Sequence, residues 1–370
     1  MTKRLLAFIL TAIMALSFMS ACSSASKIVT FSLYDVGGNF NIHTSLQRKY
    51  LDSGDYASAT EHAIGMLEIS YPKPVDLSWS VNAQEGKPDS YTVSLSKNAD
   101  MSDAKTYAVD GLTLQLYNLE IGTEYFWTVT ANYPKAGYTS SVKSFSITAD
   151  GPRNLYVDGV TNFRDCGGWA SNKGGRVKQG LIYRCATLND GHGDSYKVRV
   201  TKEGKKVMLE DLGIKTEIDL RFDENKENTG KNKSALGNTV TYHAFPMDSS
   251  LGDWLYTHKE QIKNCFTVFA DESSYPIVFH CAIGTDRTGM IAFLLNGLLG
   301  VEEEDLYYDY MFSNYGLIWG SRDPGAIDGY IKVVSRYGGD TLSERIRNYL
   351  LDIGVTNEQI ESVISIMLDR

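Results

Sequence analysis

The stretch "YPIVFHCAIGTDRTGMIAFLLNGLLG", residues 275–300, constrains this chain more than any other. Its first part reads as a buried strand, and the apolar run from about Thr288 as a helix. The segment between them, "AIGTD", must then be a tight loop at the helix N-terminus, where free backbone N–H groups converge and favour an anion. Gly284 lets such a loop curl without a Cβ in the way. Cys281 would lie at the base of this cradle, where the same N–H groups and the helix dipole favour its thiolate. Arg287, six residues after Cys281, can fork onto two oxygens of a phosphate. Thr288 can donate its hydroxyl to the sulfur, and His280 can fix the loop through backbone hydrogen bonds. Each element alone is ordinary, since a lone buried cysteine is usually a small hydrophobe. Together they spell H-C-x5-R-T in a strand–loop–helix context, which points to covalent chemistry on a phosphate group rather than a plain buried turn.

The surrounding sequence divides in two. With 370 residues, 43% of them hydrophobic, the chain has room for more than one core. Between 61 and 150 it reads as short strands: "DLSWSV", "SYTVSLS", "LTLQLYNL", "EYFWTVTANY" and "VKSFSIT", each bounded by Gly, Pro, Asn or Asp. This spacing suggests a sandwich. Trp79, and Leu119, Gly122, Thr123 and Tyr125 in "LEIGTEYFWTVTA", resemble a fibronectin type III domain. That resemblance implies a tyrosine corner closed through the Tyr125 hydroxyl. Residues 22–60 are harder to place: "SSASK" looks like a tether, while "IVTFSLYDVGGNF" could join the sandwich or pad it. After a seam near Asp150–Asn154, apolar strands alternate with helical stretches through residues 151–370. This favours an α/β domain with a central, mostly parallel sheet flanked by helices. Thr356 and Gln359 form a capping box before the last helix.

The second unit is similar to the cysteine-dependent protein tyrosine phosphatase superfamily. More narrowly, it resembles the bacterial group with C-x-x-G-K-D-R-T-G loops, which includes secreted tyrosine and phosphoinositide phosphatases. "TNFRDCGGW" (161–169), "GLIYRC" (180–185), "LGIKTEIDLR" (212–221) and "LYYDYMFSNY" match that group as well. Three positions depart from it: Thr285 replaces a lysine, Cys166 a leucine and Cys185 a serine. The missing lysine removes an ammonium that would neutralise the extra charge of a polyanionic phosphoinositide.

The resemblance implies that Cys281 attacks phosphorus while Arg287 and the loop N–H groups of Ala282, Ile283, Gly284 and Thr285 hold the oxygens. A general acid is also required. Asp248, in the loop "AFPMDSSLGDW", is the first candidate and Asp286 the rival; alternatively Asp286 only orders the loop or holds Arg164. Arg164 and Asp165 either flank the pocket mouth or support the structure, whereas Asp219 and Arg221 read as structural ion pairs. The expected activity is hydrolysis of phosphomonoesters, with phosphotyrosine on proteins as substrate. The alternatives are a phosphoinositide or inositol-phosphate phosphatase of the same mechanism, or a surface protein that binds phospho-ligands without turnover.

The remaining features bound localisation and partners. Lys3 and Arg4, an apolar run from Leu5 to Met19, and the small residues Ser20 and Ala21 read as an export signal covering 1–21. Cys22 directly afterwards resembles the lipidated cysteine of a bacterial lipoprotein, which implies anchorage at a membrane of the bacterial cell envelope. A plain signal peptide cut nearby and an uncleaved anchor are the alternatives. The net charge of −9, with no long basic run, argues against nucleic acid as a partner. The six histidines show no metal spacing, so no cofactor is expected. Cys166 and Cys185 could pair in an exported protein.

Overall fold

The computed structural model describes residues 29–84, 86–189, 199–222 and 232–369. The expected export signal and lipidated Cys22 lie outside the described residues.

The N-terminal unit is a two-sheet all-β structure. One sheet has the order β1 (Val29–Leu33), β3 (Val75–Ala83), β6 (Thr113–Leu116). The other runs β2 (Asn39–Phe40), β9 (Lys143–Ile147), β7 (Glu124–Tyr133), β4 (Ser90–Ser96), β5 (Lys105–Val109), with β8 (Ala136–Thr139) paired to β7. Alternation drives this packing: Val75, Leu77 and Trp79 on β3 point inward against Tyr91, Val93 and Leu95 of β4 and Trp127 and Val129 of β7. Tyr125 closes a corner by accepting a hydrogen bond from the Glu120 N–H at 2.8 Å. The uncertain "IVTFSLYDVGGNF" segment joins both sheets, through β1 against β3 and β2 against β9.

The expected tether, "SSASK", lies outside the described residues; residues 44–63, part of the stretch that is hard to place from sequence, are largely helical. Helix Ser45–Leu51 carries a capping box on Thr44 and Gln47, and Tyr50, Ala59 and Ala63 are buried in the core of the C-terminal unit. Apolar side chains at helical spacing secure this segment to the second unit, although the strands before and after it belong to the first.

The C-terminal unit is built on a five-stranded sheet. Its order is β10 (Arg164–Asp165), β12 (Ile182–Cys185), β15 (Ile277–His280), β13 (Thr216–Asp219), β14 (Thr241–Ala244). All neighbours run parallel except β10 against β12. A short pair, β11 (Arg176–Val177) with β16 (Leu368–Asp369), stands apart. Strand β15 is buried along its whole length, as its unbroken apolar run requires for a central strand covered on both faces. Helix Asp286–Leu298 follows it and is buried at every position but its first. The Thr356–Gln359 capping box forms as expected. Among the described residues no helix is long and apolar enough to cross a membrane.

Candidate active site

The C-terminal ends of β12, β15 and β13 lie side by side, with Cys185, His280 and Asp219 in register. In open α/β sheets ligands gather at this edge. The Cys281–Thr285 loop leaves it and turns into the buried helix. Gly284 adopts φ +70°, and a Cβ there would come within 2.4–2.6 Å of backbone atoms of Cys185 and Ala186. Only glycine fits.

The loop carbonyls are tied behind it. Ala282 O accepts from Thr187 N at 3.1 Å, Ile283 O from Asn162 Nδ2 at 3.0 Å, and Gly284 O from Arg184 Nη2 at 3.0 Å. Because each peptide is planar and trans, the N–H groups of Ile283, Gly284 and Thr285 face the opposite way. Cys281, at the start of the loop, is 1% exposed. Arg287 lies beyond its other end, its Nη1 donating to Met247 O at 3.1 Å and reaching Leu220 O at 3.4 Å.

Beneath the loop, Asp309 bridges two buried arginines, Arg164 at 2.8 Å and Arg184 at 2.5 Å. Burial opposes the ionised carboxyl, but the two guanidinium groups hold Asp309 below the usual carboxylate range. This cluster by itself carries two cations and one anion. Of the two readings of Arg164, pocket mouth or structural support, the geometry favours support. Its guanidinium is buried and donates to Asp309, Ser313 and Asn162, so it supports the loop from behind. The Thr285 side chain also turns inward, accepting from Asn162 Nδ2 at 3.1 Å, and offers the cradle only its backbone.

His280 spans Glu217, at 3.1 Å from Nε2, and the Cys281 carbonyl, at 3.2 Å from Nδ1. Asp219 and Arg221 form a buried ion pair at 2.6 Å, joined by Tyr242. Burial again opposes ionisation, and His280 and Arg221 outweigh it to keep Asp219 well below its ordinary range. Glu217, Asp219 and His280 bring potential metal-ligand atoms within 4.8 Å of one another. Ser234, Arg221 and Tyr242 already occupy the carboxylates, so this buried trio forms the floor under the catalytic loop.

The two acid candidates occupy different settings. Asp248 follows Met247, half-buried, with Oδ1 accepting from Ser250 and its carbonyl facing His258 Nε2 at 3.1 Å. Burial pushes His258 below its ordinary value. Asp286 is clamped by Arg322, at 2.8 Å to Oδ1 and 3.0 Å to Oδ2, rather than by Arg164. Among the described residues the buried Thr288 hydroxyl has no hydrogen-bond partner, so the expected bond to the Cys281 sulfur is not made. Cys166, Cys185, Cys265 and Cys281 are free thiols. Cys166 pairs across the sheet with Ile182, three residues from Cys185, so the suggested disulfide does not form.

The model for the tyrosine phosphatase family matches residues 155–368, more than half of the chain. This chain belongs to that family. A Cupriavidus necator protein named "Putative tyrosine-protein phosphatase" is 26% identical over 195 residues, covering 46% of this chain and 66% of that protein. A tyrosine-protein phosphatase of Nostoc commune is 30% identical over 124 residues, covering 29% of this chain and 42% of the relative. The chain thus spans less than two thirds of either relative. Among solved structures, the core catalytic domain of the PP-IP phosphatase Siw14 from S. cerevisiae, in complex with citrate, superposes with a TM-score of 0.31 at 15% identity. It covers 44% of this chain and 84% of that one, a likeness too distant to speak for the chemistry.

Arg184, Asp309, Asn162, Glu217 and Arg322 are site residues that sequence reasoning missed. For Arg184 a signal existed, a charged residue inside the otherwise uncharged strand Ile182–Cys185, which is costly unless paired.

Proposed function

We propose that this family member is a protein-tyrosine phosphatase working through a cysteinyl-phosphate. The observation that carries the reading is the loop itself: its carbonyls are tied away to Thr187, Asn162 and Arg184, which leaves the N–H groups of Ile283, Gly284 and Thr285 on its other side, with Cys281 and Arg287 buried at its two ends. The Cys281 sulfur attacks phosphorus, and the S–P bond forms as the P–O bond to the leaving group breaks. Asp248 gives the departing oxygen its proton. Water, losing a proton to the same carboxylate, then attacks phosphorus. The S–P bond breaks and inorganic phosphate leaves. In that step the unpartnered Thr288 hydroxyl is the group available to stabilise the departing thiolate.

The names of both bacterial relatives support phosphotyrosine as the substrate. The N-terminal pattern ending at Cys22 supports an exported, lipid-anchored protein, and the Tyr125 corner supports a fibronectin type III-like module. In the test, Cys281→Ser abolishes phosphate release from an aryl phosphate while the melting temperature stays near wild type. Turnover by the serine variant would sink the thiolate mechanism.

A further inference from the structure

Beside the catalytic loop lies a cleft of about 480 Å³ that the mechanism does not use. Asp286, the residue between the loop and Arg287, lines it, as do Ser249 and Ser250 just after Asp248. One wall is the segment after Asp248, with Leu251 and Trp254; the other is helix Gly325–Val334, which turns Ala326, Gly329 and Tyr330 toward the space. Gly329 has nothing within 4 Å of where a Cβ would stand, so this wall is set back. Leu251 is 45% exposed, an apolar side chain held at the rim.

The charge in the cleft is one-sided. Its titratable lining among the described residues is Asp253, Asp286 and two tyrosines, and no lysine or arginine lines it. Asp286 is already matched by Arg322, which leaves Asp253 uncompensated by the cleft's own residues. A second phosphate placed here would meet the Asp253 carboxylate and no cation of the cleft's own lining, since the neighbouring Arg322 is held on Asp286, whereas an uncharged aromatic or aliphatic group would meet rings and methylenes.

We propose that this cleft is a substrate subsite for the apolar body of the group that carries the phosphate, selecting extended aryl phosphomonoesters over polyphosphorylated molecules. The inference rests on the phosphatase reading above and adds a specificity to it.

The experiment compares kcat/KM for phenyl phosphate, 2-naphthyl phosphate and inositol hexakisphosphate with the full chain. Phenol and 2-naphthol are leaving groups of similar acidity, so a difference between them reports binding of the second ring. Wild type should prefer the naphthyl ester by on the order of tenfold and disfavour the inositol compound by more. Gly329→Leu fills the cleft with a better helix former, and Leu251→Ala removes the opposite wall at an exposed position. Each should shrink the naphthyl-to-phenyl ratio, mainly through KM. If phenyl phosphate is not hydrolysed at all, the phosphatase reading fails. If it is hydrolysed but the ratio is near one, or neither variant changes it, the subsite is wrong. Faster turnover of inositol hexakisphosphate would also overturn it.

Discussion

Arg287 donates to the main-chain oxygen of Met247 at 3.1 Å, and the next residue is Asp248. The guanidinium that would grip the phosphate therefore also fixes the start of the loop carrying the first acid candidate. Asp286, by contrast, has both oxygens engaged by Arg322. Asp248→Asn should lower kcat by about 10²–10³-fold, more for poor leaving groups, and flatten the alkaline limb of the pH–kcat profile. Asp286→Asn should have the smaller effect and keep that limb. The opposite ranking would move the acid role to Asp286.

Gly284 predicts a sharp local sensitivity. An added Cβ would strike the backbone of Cys185 and Ala186, which cannot rotate away as a side chain could, and φ +70° is strained for alanine. Gly284→Ala should therefore reopen the cradle and reduce kcat/KM by about 10²-fold or more, in line with losing a preorganised oxyanion donor. Affinity for inorganic phosphate as a competitive inhibitor should fall in parallel. Unchanged phosphate affinity would mean that the loop N–H groups do not hold the anion.

The sequence revealed this loop because its parts are neighbours in the chain. Cys281, Gly284 and Arg287 fall within seven residues, and strand and helix periodicity place them without any distant information. The supports were not legible in that way. Asp309 is 145 residues from Arg164 and 125 from Arg184, and no local spacing pairs them. Likewise, Thr285 reads as a pocket residue by position, and only Asn162, 123 residues away, shows that its side chain turns inward. Residues 44–63 could not be placed for a related reason. Their helix is only about two turns long, and nothing local says which of two cores it joins.

The Asp309 bridge should make stability depend on acid. Its folded carboxyl titrates below the ordinary range, so its contribution is complete above the unfolded value of about 3.9 and is lost as pH falls toward the folded one. At neutral pH Asp309→Asn leaves two buried guanidinium groups facing a neutral amide, a loss of about 3–5 kcal/mol by analogy with other broken buried pairs. Urea unfolding at pH 7 and at pH 3 should show the gap between wild type and variant narrowing at the lower pH. A gap that is constant with pH would mean the carboxylate charge is not what holds the two arginines.

The last prediction concerns how the two units are joined. Arg153 is 4% exposed and donates in two directions. Its Nε and Nη2 reach the carbonyls of Leu119 and Asn118, at 3.1 and 2.6 Å, while Nη1 reaches Asp165 at 2.7 Å. Leu119 and Asn118 lead into the Tyr125 corner of the first unit, and Asp165 adjoins Arg164 under the catalytic loop. Gln179 adds a second tie, exchanging hydrogen bonds with the backbone of Ile121. With one buried cation serving both units, calorimetry of the chain should show a single cooperative transition. Arg153→Ala strands the Asp165 carboxylate without its partner and should cost about 3–5 kcal/mol. It should also separate the melting of the two units and lower kcat/KM, because Asp165 and Arg164 share a strand. Two independent transitions in wild type, or an Arg153→Ala variant that melts as one unit at an unchanged temperature, would show that the clamp does not couple them.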